Sequence, residues 1–541
     1  MGTTERVHKE TERTLAVHGS DDKGRRVTFS NTPWDENSPH WQALDTQIDE
    51  GDVVRVISQA VDDSTFNVEA VFDVYSGRGS AAYRPDLLLK LALYEHCQGR
   101  TKPIQWHRDL RSDIKVQWLT FGLEISQRTL YRFRDRVGSL LEDWHKQVLE
   151  LAVAVELVDG RQASIDGTAV AANASRRKLG NMQQVEQRLE QLEQAVSSSP
   201  KTLSQESTSR DFAEQSREPE PREPGWMAKT DSGKLEQHAR YSKAKERLCE
   251  LHAENEKRRS DKRKPKERIV ISLTDPVSVF GLDKEKVYRP LYNVQTVSDL
   301  ATDFVLSYEV FAQHSDSGTL QPLMNKIRES GIQVEDLLAD AGYPVGEDLQ
   351  YCETFDITLY APWQENSSTC KKTLKEARIE KDGFQWDDAR RVYLCPEGKV
   401  LSYSHKNTRQ RANGETISFQ VYRASASACT ECHLQTRCTN VTEKGRTVRR
   451  DPYQEEIDRL KTRMQNEEAK SLYKQRGQTI ECVFADFKEH RNLRRFRGRG
   501  LSRARTQLGL TVLGHNLRIL ANLHEKKKHE AEDATAPRTA A

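Results

Sequence analysis

Three acidic residues far apart in the sequence, Asp166, Asp340 and Glu481, are of the type and in the local contexts that metal-dependent chemistry requires. Three carboxylates brought together without basic partners repel one another, and divalent cations relieve that repulsion. Hard oxygen ligands suit Mg²⁺, or Mn²⁺ in its place. Two such ions can activate a water or a 3′-hydroxyl for in-line displacement at phosphorus. The alternative for any single acid is an ordinary solvated side chain.

Glu481 lies in a predicted helix with one buried face, because its apolar neighbours recur three and four residues apart. These neighbours are Ile480, Val483, Phe484 and Phe487. Lys488, seven residues after Glu481, projects from nearly the same side of the helix, and Tyr473 and Arg476 lie one turn apart just upstream. If the acids converge, Arg476 and Lys488 are placed to hold the DNA strand that is cut.

Positive charge is concentrated rather than general, since the formal net charge is only +2. One basic run is Lys257–Arg268 and another is Lys488–Arg505, and the second contains apolar anchors, as is typical of a surface for the DNA backbone. Ser126 is a predicted N-cap, and the helix after it resembles the second helix of a helix-turn-helix. The alternative is a plain helical bundle with an Arg-rich face. The candidate DNA contacts are Arg128, Arg132, Arg134, Tyr473, Arg476, Lys488, Arg491, Arg494, Arg495 and Arg497.

Four of the nine cysteines, Cys395, Cys429, Cys432 and Cys438, have a spacing that suits a tetrahedral Zn²⁺ site. The alternative is four reduced cysteines without a metal. An odd cysteine count argues against a disulfide scaffold and for a reducing cytoplasm. The first residues lack the apolar core of a signal peptide, and no apolar run is long enough to span a membrane. We therefore expect a cytoplasmic, nucleoid-associated protein.

The periodicity predicts a helical N-terminal part followed by an α/β part. Helices are predicted at 46–60, 84–98, 103–112, 126–156 and 318–329, and strands at 162–166, 268–274, 287–297, 304–311, 334–339 and 357–363. In this order, Asp166 ends the first strand and Asp340 ends the fifth. His314 and Asp316 follow the strand that ends at Phe311; they could support the acids, but the capping of the next helix is the favoured role.

Residues 176–268 interrupt the α/β pattern. Two segments have the three-and-four spacing of a coiled-coil seam: Met182, Val185, Leu189, Leu192 and Val196 in the first, and Tyr241, Ala244, Leu248 and Leu251 in the second. The sequence between them is rich in Ser, Glu and Pro, which predicts disorder. We expect a helical hairpin with a disordered tip. It could be a surface insertion, which is favoured, or a dimer arm.

Five ordered motifs resemble the DDE insertion-sequence transposases, most closely the group numbered eleven-eighty-two. They are SIDGTAVAANAS (164–175), LTDPVSVF (273–280), YNVQTVSD (292–299), LLADAGYPVGEDLQYCE (337–353) and YKQRGQTIECVFADFK (473–488). YRPDLLLKLALYEH (83–96) and TLYRFRDR (129–136) are similar to the N-terminal domain of that group. One departure is that four residues separate Arg476 from Glu481, whereas related groups have three.

The resemblance implies Asp166, Asp340 and Glu481 as a metal-binding triad on an α/β RNase H-like core, a mixed five-stranded sheet with flanking helices. It also implies the reaction: hydrolytic nicking at transposon ends, then attack of the freed 3′-hydroxyl on target DNA. The partner is double-stranded DNA, on which a homodimer is expected to assemble. The alternatives are a catalytically inactive DNA-binding relative and a nuclease of the same fold that does not join strands.

The expected organisation has the α/β core interrupted twice. Its parts are a disordered segment (1–40), a helical domain (41–157), the start of the catalytic domain (158–175), the helical hairpin (176–268), the catalytic domain continued (269–365), a Cys-rich insertion (366–450), the end of the catalytic domain (451–524) and a disordered tail (525–541).

Overall fold

The computed structural model describes residues 29–535, except for 65–80, 198–222, 259, 284, 364–378, 411–415 and 440–442. Most of the N-terminal segment expected to be disordered, and nearly all of the expected disordered tip of the hairpin, lie outside the described residues.

Seven helices are described in the N-terminal part: α1 (Pro39–Asp45), α2 (Val53–Asp63), α3 (Pro85–Cys97), α4 (Pro103–Ser112), α5 (Ile114–Thr120), α6 (Gln127–Val137) and α7 (Leu141–Ala154). The predicted cap of α6 is confirmed, because Ser126 Oγ accepts a hydrogen bond of 3.2 Å from Thr129 N. The prediction of a helix from residue 46 is wrong. α2 starts at Val53 because the Asp52 carboxylate caps it by accepting from Val54 N.

The predicted helix at 126–156 is two helices. A 3₁₀ turn at Gly138–Leu140 separates α6 from α7. The chain there packs closely against the C-terminal helix, since a Cβ atom on Gly138 would lie 2.3 Å from Thr506 Oγ1. A glycine is the residue type that permits this approach.

The centre of the molecule is a mixed sheet. Its strands are β1 (Gln162–Ala171), β4 (Val279–Leu282), β5 (Tyr288–Asp299), β6 (Val305–Phe311), β7 (Asp336–Leu338) and β8 (Thr358–Tyr360). They are ordered β4-β5-β1-β7-β8, and β6 also pairs with β5. β1 is antiparallel to β5 and parallel to β7, so the predicted mixed sheet is confirmed. It has six strands rather than five, because the unpredicted β4 adds to β5.

Two predictions about individual strands are wrong. β1 does not end at Asp166 but continues to Ala171, since its second half keeps pairing with β5. The strand predicted at 268–274 is outside the main sheet. Only β3 (Ile271–Ser272) forms there, and it pairs with β2 (Leu179–Gly180) at the base of the insertion.

The insertion contains a helical hairpin of α8 (Met182–Ser197) and α9 (Asp231–Glu256). The predicted seam between them is confirmed, since Val185, Leu189, Leu192, Tyr241, Ala244 and Leu248 are buried together in one cluster. Ile271 and Leu273 belong to the same cluster, which ties the hairpin to the two-stranded sheet at its base. The 3.5-residue repeat therefore describes packing within the chain here.

A second insertion, which we call the Cys lobe, contains an antiparallel sheet in the order β13-β12-β11-β10-β9. Its strands are β9 (Gln385–Asp387), β10 (Val392–Leu394), β11 (Val400–Gln410), β12 (Thr416–Ala424) and β13 (Thr447–Arg450), and two short helices, α12 (Ala426–Thr430) and α13 (Gln435–Cys438), follow β12. The buried apolar cluster of the lobe is small: Phe384, Tyr393, Leu401, Tyr422, Ala424 and Val448.

Five further helices surround the main sheet: α10 (Leu320–Glu329), α11 (Gly346–Thr354), α14 (Gln454–Arg463), α15 (Glu467–Ala485) and α16 (Leu501–Thr535). A π-helical turn at Asp486–His490 follows α15. The prediction of disorder from residue 525 is wrong as far as Thr535, since α16 continues to that residue. Its last segment is rich in Glu, Lys and Ala, which favour helix.

One hydrophobic core joins the N-terminal helices to the sheet and to α16. Leu91 and Trp106 of the helices lie in the same buried cluster as Ile165 and Leu337 of the sheet and Leu513 of α16. The part predicted as a separate helical domain therefore packs on the α/β part over a shared core. Among the described helices, none has the length and apolar character to cross a membrane.

Candidate active site

Asp166 lies in the middle of β1, the strand between β5 and β7. The parallel pairing of β1 with β7 ends at Ser164 and Leu338, so that continuing the register by two residues places Asp166 beside Asp340. Asp340 follows β7, and its Oδ1 accepts a hydrogen bond of 2.6 Å from Gly342 N. The structure thus brings together the first two predicted acids.

Helix α15 covers this pair with Arg476 and Tyr473. Arg476 Nη2 lies 3.1 Å from Asp166 Oδ1, and both side chains are mostly buried. Burial raises the pKa of Tyr473, and the negative charges of Asp340 and Asp166 act in the same direction, against the opposing effect of Arg476. The phenol and the guanidinium therefore both lie within electrostatic reach of the carboxylates.

Lys488 reaches the same face of β1. Its Nζ donates a hydrogen bond of 2.6 Å to Thr168 Oγ1. Thr168 is two residues after Asp166, so their side chains lie on one face of the strand. The π-helical turn that contains Lys488 holds more residues per turn than an α-helix, and such turns often occur at functional sites.

Glu481 is exposed on α15, and no described hydrogen bond or ion pair joins it to Asp166 or Asp340. It follows Arg476 by five residues, which rotates it about 140° around the helix. No three acids among the described residues are gathered closely enough to hold a metal ion, so the convergence of all three stays a prediction. Lys488 lies beyond the end of the same helix, on the π-helical turn.

The sequence reasoning gave Asp316 the wrong role. Thr319, the N-cap of α10, has no side-chain capping bond. The Asp316 carboxylate instead accepts from Asn293 Nδ2 at 2.9 Å and from Gln295 Nε2 at 2.6 Å. Both donors are buried side chains of β5. The feature of the sequence that could have indicated this contact is an acid shortly after a strand of the sheet, two residues before Gly318.

The oxygen-rich surroundings of Asp166 fit a divalent cation. Thr296, opposite Asp166 on β5, is fully buried, and its hydroxyl has no hydrogen-bond partner among the described residues. Mg²⁺ needs only one or two carboxylates when substrate phosphates complete its ligands. No three described His, Cys, Asp or Glu side chains are close enough together to hold an ion, so the fit rests on the adjacent acids and this unpaired hydroxyl.

The Arg-rich helix α6 and the end of the basic run Lys488–Arg505, both predicted to contact DNA, adjoin each other. Arg128 and Arg132 are exposed one turn apart on α6. Arg134, on the same helix, is half-buried and pairs with Asp135 at 2.6 Å. Arg503 of α16 pairs with the same Asp135 at 2.7 Å, which brings the start of α16 beside α6.

The C-terminal arginines have different surroundings. Arg494 and Arg495 are exposed, and Arg497 is half-buried with Nη2 donating to Asn492 Oδ1. Arg491 is only 1% exposed, and it donates to Cys97 O and to Asp486 Oδ2. The prediction of Arg491 as a DNA contact is wrong, because its guanidinium is used inside the protein.

The four cysteines of the Cys lobe lie near one another and are free. Burial raises the pKa of Cys438, the nearby Arg446 opposes this effect, and the neighbouring Cys429, Cys395 and Cys432 raise it further. Lys399 N donates to Cys395 Sγ at 3.3 Å, and Arg446 N to Cys429 Sγ at 3.5 Å. Backbone donors on sulfur and four neighbouring thiols fit Zn²⁺ chemically. Among the described residues, no three of these side chains are close enough together to hold an ion.

Two segments of the chain match known protein families. Residues 394–521 match the family described as "Transposase DDE domain", and residues 42–136 match the one described as "Transposase domain (DUF772)". The first match includes Glu481 and the basic segment but not Asp166 or Asp340. No curated protein and no solved structure matches the chain. These two segments are thus similar to a transposase DDE domain, a similarity that implies an RNase H-like core, and to an N-terminal transposase domain.

Proposed function

We propose that this chain is a DNA transposase that cleaves transposon ends and joins them to target DNA. The observation that carries the proposal is the pair Asp166 and Asp340, side by side at the point where β1 and β7 separate, with Arg476 of α15 on Asp166 and Lys488 of the π-helical turn on the same strand. Mg²⁺ or Mn²⁺, when bound, supplies activation of the attacking oxygen and stabilisation of the leaving oxygen.

The chain's own residues divide the remaining work. Asp166 and Asp340 are the ligands for the cation, and Glu481 joins them from the flank of α15 when DNA is present. Lys488 and Arg476 hold the phosphodiester that is cut, since both are cationic and lie against the face of β1 that carries Asp166. Tyr473 borders the pair and excludes water from one side.

DNA is held by a wider surface that combines α6 with the start of α16. Arg128, Arg132, Arg494 and Arg495 are exposed for phosphate contacts. Such contacts give little sequence information, but they fix the position of the duplex. The segment at 114–137, a short helix, a turn and α6, is the candidate for base recognition in a groove. A homodimer on the two transposon ends belongs to the same proposal.

We also propose that the Cys lobe holds one structural Zn²⁺ through Cys395, Cys429, Cys432 and Cys438. A lobe with six buried apolar residues has little core of its own, and small units of this kind commonly need a metal or disulfides. The described cysteines form no disulfides, which leaves metal as the cross-link.

The decisive experiment is a cleavage assay with purified protein and a DNA fragment that bears the ends of its own element. We expect cleavage at the element boundary with Mg²⁺, none with EDTA, and a loss of at least about 100-fold in Glu481→Gln and Asp166→Asn. Glu467→Gln is the matched control, since Glu467 is an exposed acid at the start of the same helix and pairs only with the nearby Lys470 among the described residues.

The outcomes separate the candidate functions. Cleavage followed by joining to a second DNA supports the transposase, and cleavage without joining identifies a nuclease. Binding without cleavage identifies the inactive DNA-binding relative. Full activity in Glu481→Gln would show that the third acid has been placed wrongly.

A further inference from the structure

We propose that Asp316 supplies a further carboxylate to the divalent-cation site, facing Asp340 across the gap above Gly342. The inference rests on the proposed function and goes beyond the three acids of that proposal. It names a direct ligand on the connection between β6 and α10, where the sequence suggested at most a residue that supports the acids.

The Asp316 carboxylate is fixed in orientation by two buried amides. Its Oδ1 accepts from both Asn293 and Gln295, and Gln295 Nε2 also donates to Asn293 Oδ1 at 3.0 Å. Gln295 Oε1 accepts in turn from the hydroxyl of the buried Tyr343. The described hydrogen bonds to Asp316 all end on Oδ1, so that Oδ2 keeps its lone pairs for another partner.

Oδ2 points to a gap that is shared with Asp340. A Cβ atom on Gly342 would lie 2.9 Å from Asp340 Oδ1 and 3.3 Å from Asp316 Oδ2, so the two oxygens border the same small space. On the other side, a Cβ on Gly167 would lie 2.8 Å from Asp316 Oδ1. The two glycines, one next to each predicted acid, leave room beside both carboxylates.

This gap contains negative charge without a described counter-ion. Neither Asp316 nor Asp340 forms an ion pair with a described residue, whereas Asp166 has Arg476. Burial raises the pKa of Tyr343 well above its ordinary value, and the next contributions come from the charges of Asp316, Asp166 and Asp340. Three carboxylates therefore lie within electrostatic reach of one buried phenol, and two of them border the gap beside Gly342. Neighbouring carboxylates favour a divalent cation.

The unpaired hydroxyl of Thr296 is a second observation at this site. It is fully buried and lies opposite Asp166 on β5, on the face of the sheet that carries Asp166 and on the other face from Gln295. A buried hydroxyl without a partner is costly and commonly marks a missing ligand or ordered water. The hydroxyl therefore supports a cation or a bound water on the Asp166 side of the site, beside the acid that Asp340 adjoins.

The test is a titration of the full-length protein with Mn²⁺ in the absence of DNA, followed by calorimetry and by the electron paramagnetic resonance signal of free Mn²⁺. We expect the dissociation constant of at least one ion to rise about 10-fold or more in Asp316→Asn. Gly342→Ala fills the gap without removing a carboxylate, and we expect it to weaken the same ion. Glu309→Gln is the matched control, because Glu309 pairs with Gln295 across the strands but is neutralised by Lys326 and Arg505.

Urea unfolding without metal checks that each variant is folded; if Asp316→Asn is not, Gly342→Ala decides. Weaker Mn²⁺ binding in the folded variants, with binding unchanged in Glu309→Gln, supports the inference. If the folded variants bind Mn²⁺ as tightly as the wild type, the inference is overturned and Asp316 is only a structural partner of Gln295. That result is distinct from failure of the proposed function, in which wild-type protein neither binds Mn²⁺ nor cleaves DNA.

Discussion

Arg476 pairs with the Asp166 carboxylate, so any cation that binds Asp166 competes with the guanidinium. The ion pair is mostly buried, at 15% and 21% side-chain exposure. Arg476 Nε is also buried and has no hydrogen-bond partner among the described residues. Arginine thus neutralises part of the charge of the acids at the cost of one unsatisfied donor. Its release by a cation would free it for a phosphate.

We predict that Arg476→Ala lowers the stability of the metal-free protein by about 1–2 kcal/mol, between the values for exposed and buried ion pairs. The cause is the repulsion left between Asp166 and Asp340. Millimolar Mg²⁺ should recover most of this loss, because the cation takes over the neutralisation. The measurement is urea unfolding in EDTA and in Mg²⁺.

Arg459→Ala is the control for this experiment. Arg459 pairs with Glu353 on the surface, with both side chains about half exposed. Its loss should have a small effect that Mg²⁺ does not change. Equal recovery by Mg²⁺ in both variants would contradict a competition at Asp166.

The residue types predicted the acids, but not how they are arranged. Asp166 and Asp340 could be found because each follows an apolar run and the two strands pair in parallel. Asp316 was found only as one of two roles, with helix capping favoured, since its contacts depend on Asn293 and Gln295, which the folded sheet brings to it from β5. Arg491 was assigned to DNA because a basic run does not reveal which of its members is turned inward to Cys97 and Asp486.

At the scale of elements, periodicity was most informative where a single helix buries one face. The buried stripe of α15 and the seam between α8 and α9 are as predicted, because side-chain spacing alone determines them. Strand ends were less predictable. β1 continues past Asp166 because β5 offers hydrogen bonds along its whole length, which is a property of the partner strand. The strands of the Cys lobe bury few apolar residues, so their sequence gave no clear pattern.

The Cys lobe should depend on its metal. We predict about one equivalent of zinc per purified chain, measured by plasma mass spectrometry, and its loss in Cys432→Ser. The lobe should then be cut by protease at residues that are protected in the wild type, because the six-residue core cannot keep it folded.

The matched control for zinc is Cys249→Ser, since Cys249 is an exposed free cysteine on α9. It should keep both zinc and protease resistance. A wild-type protein without zinc, with a lobe as resistant as that of the Cys432→Ser variant, would refute the metal site.

At the scale of the whole molecule, the N-terminal helices and the catalytic sheet behave as one body. Besides the shared apolar core, polar side chains join them: His145 Nε2 of α7 donates to Val305 O of β6 at 2.9 Å, and Asn516 of α16 donates to the same oxygen at 3.0 Å. Arg491 makes a similar link from the catalytic part to Cys97 of α3. The sequence could not show this union, because each side alone has the pattern of a separate domain. A DNA-bound α6 would therefore be held in a fixed position relative to Asp166.

The packing of the N-terminal helices on the sheet should lose stability in mild acid, because His145 becomes protonated. Burial lowers the pKa of His145 to about 4, and the nearby Lys326 lowers it further, against Glu142 and the bond to Val305 O. The unfolded chain has the ordinary value of about 6.5. The stabilising contribution of neutral His145 is therefore complete above pH 6.5. It is lost as the pH falls towards 4, by about 3 kcal/mol in total, because the unfolded chain binds the proton first. Urea unfolding of wild type and His145→Gln over this range measures this loss of stability, since glutamine can also donate to Val305 O but does not titrate.

Buried Glu95, whose pKa is raised to about 9, changes stability in the opposite direction, but it is common to both proteins and cancels in their difference. We expect the wild type to lose stability more steeply than the variant, so that their difference shrinks as the pH approaches 4; parallel curves would show that His145 does not control the acid sensitivity.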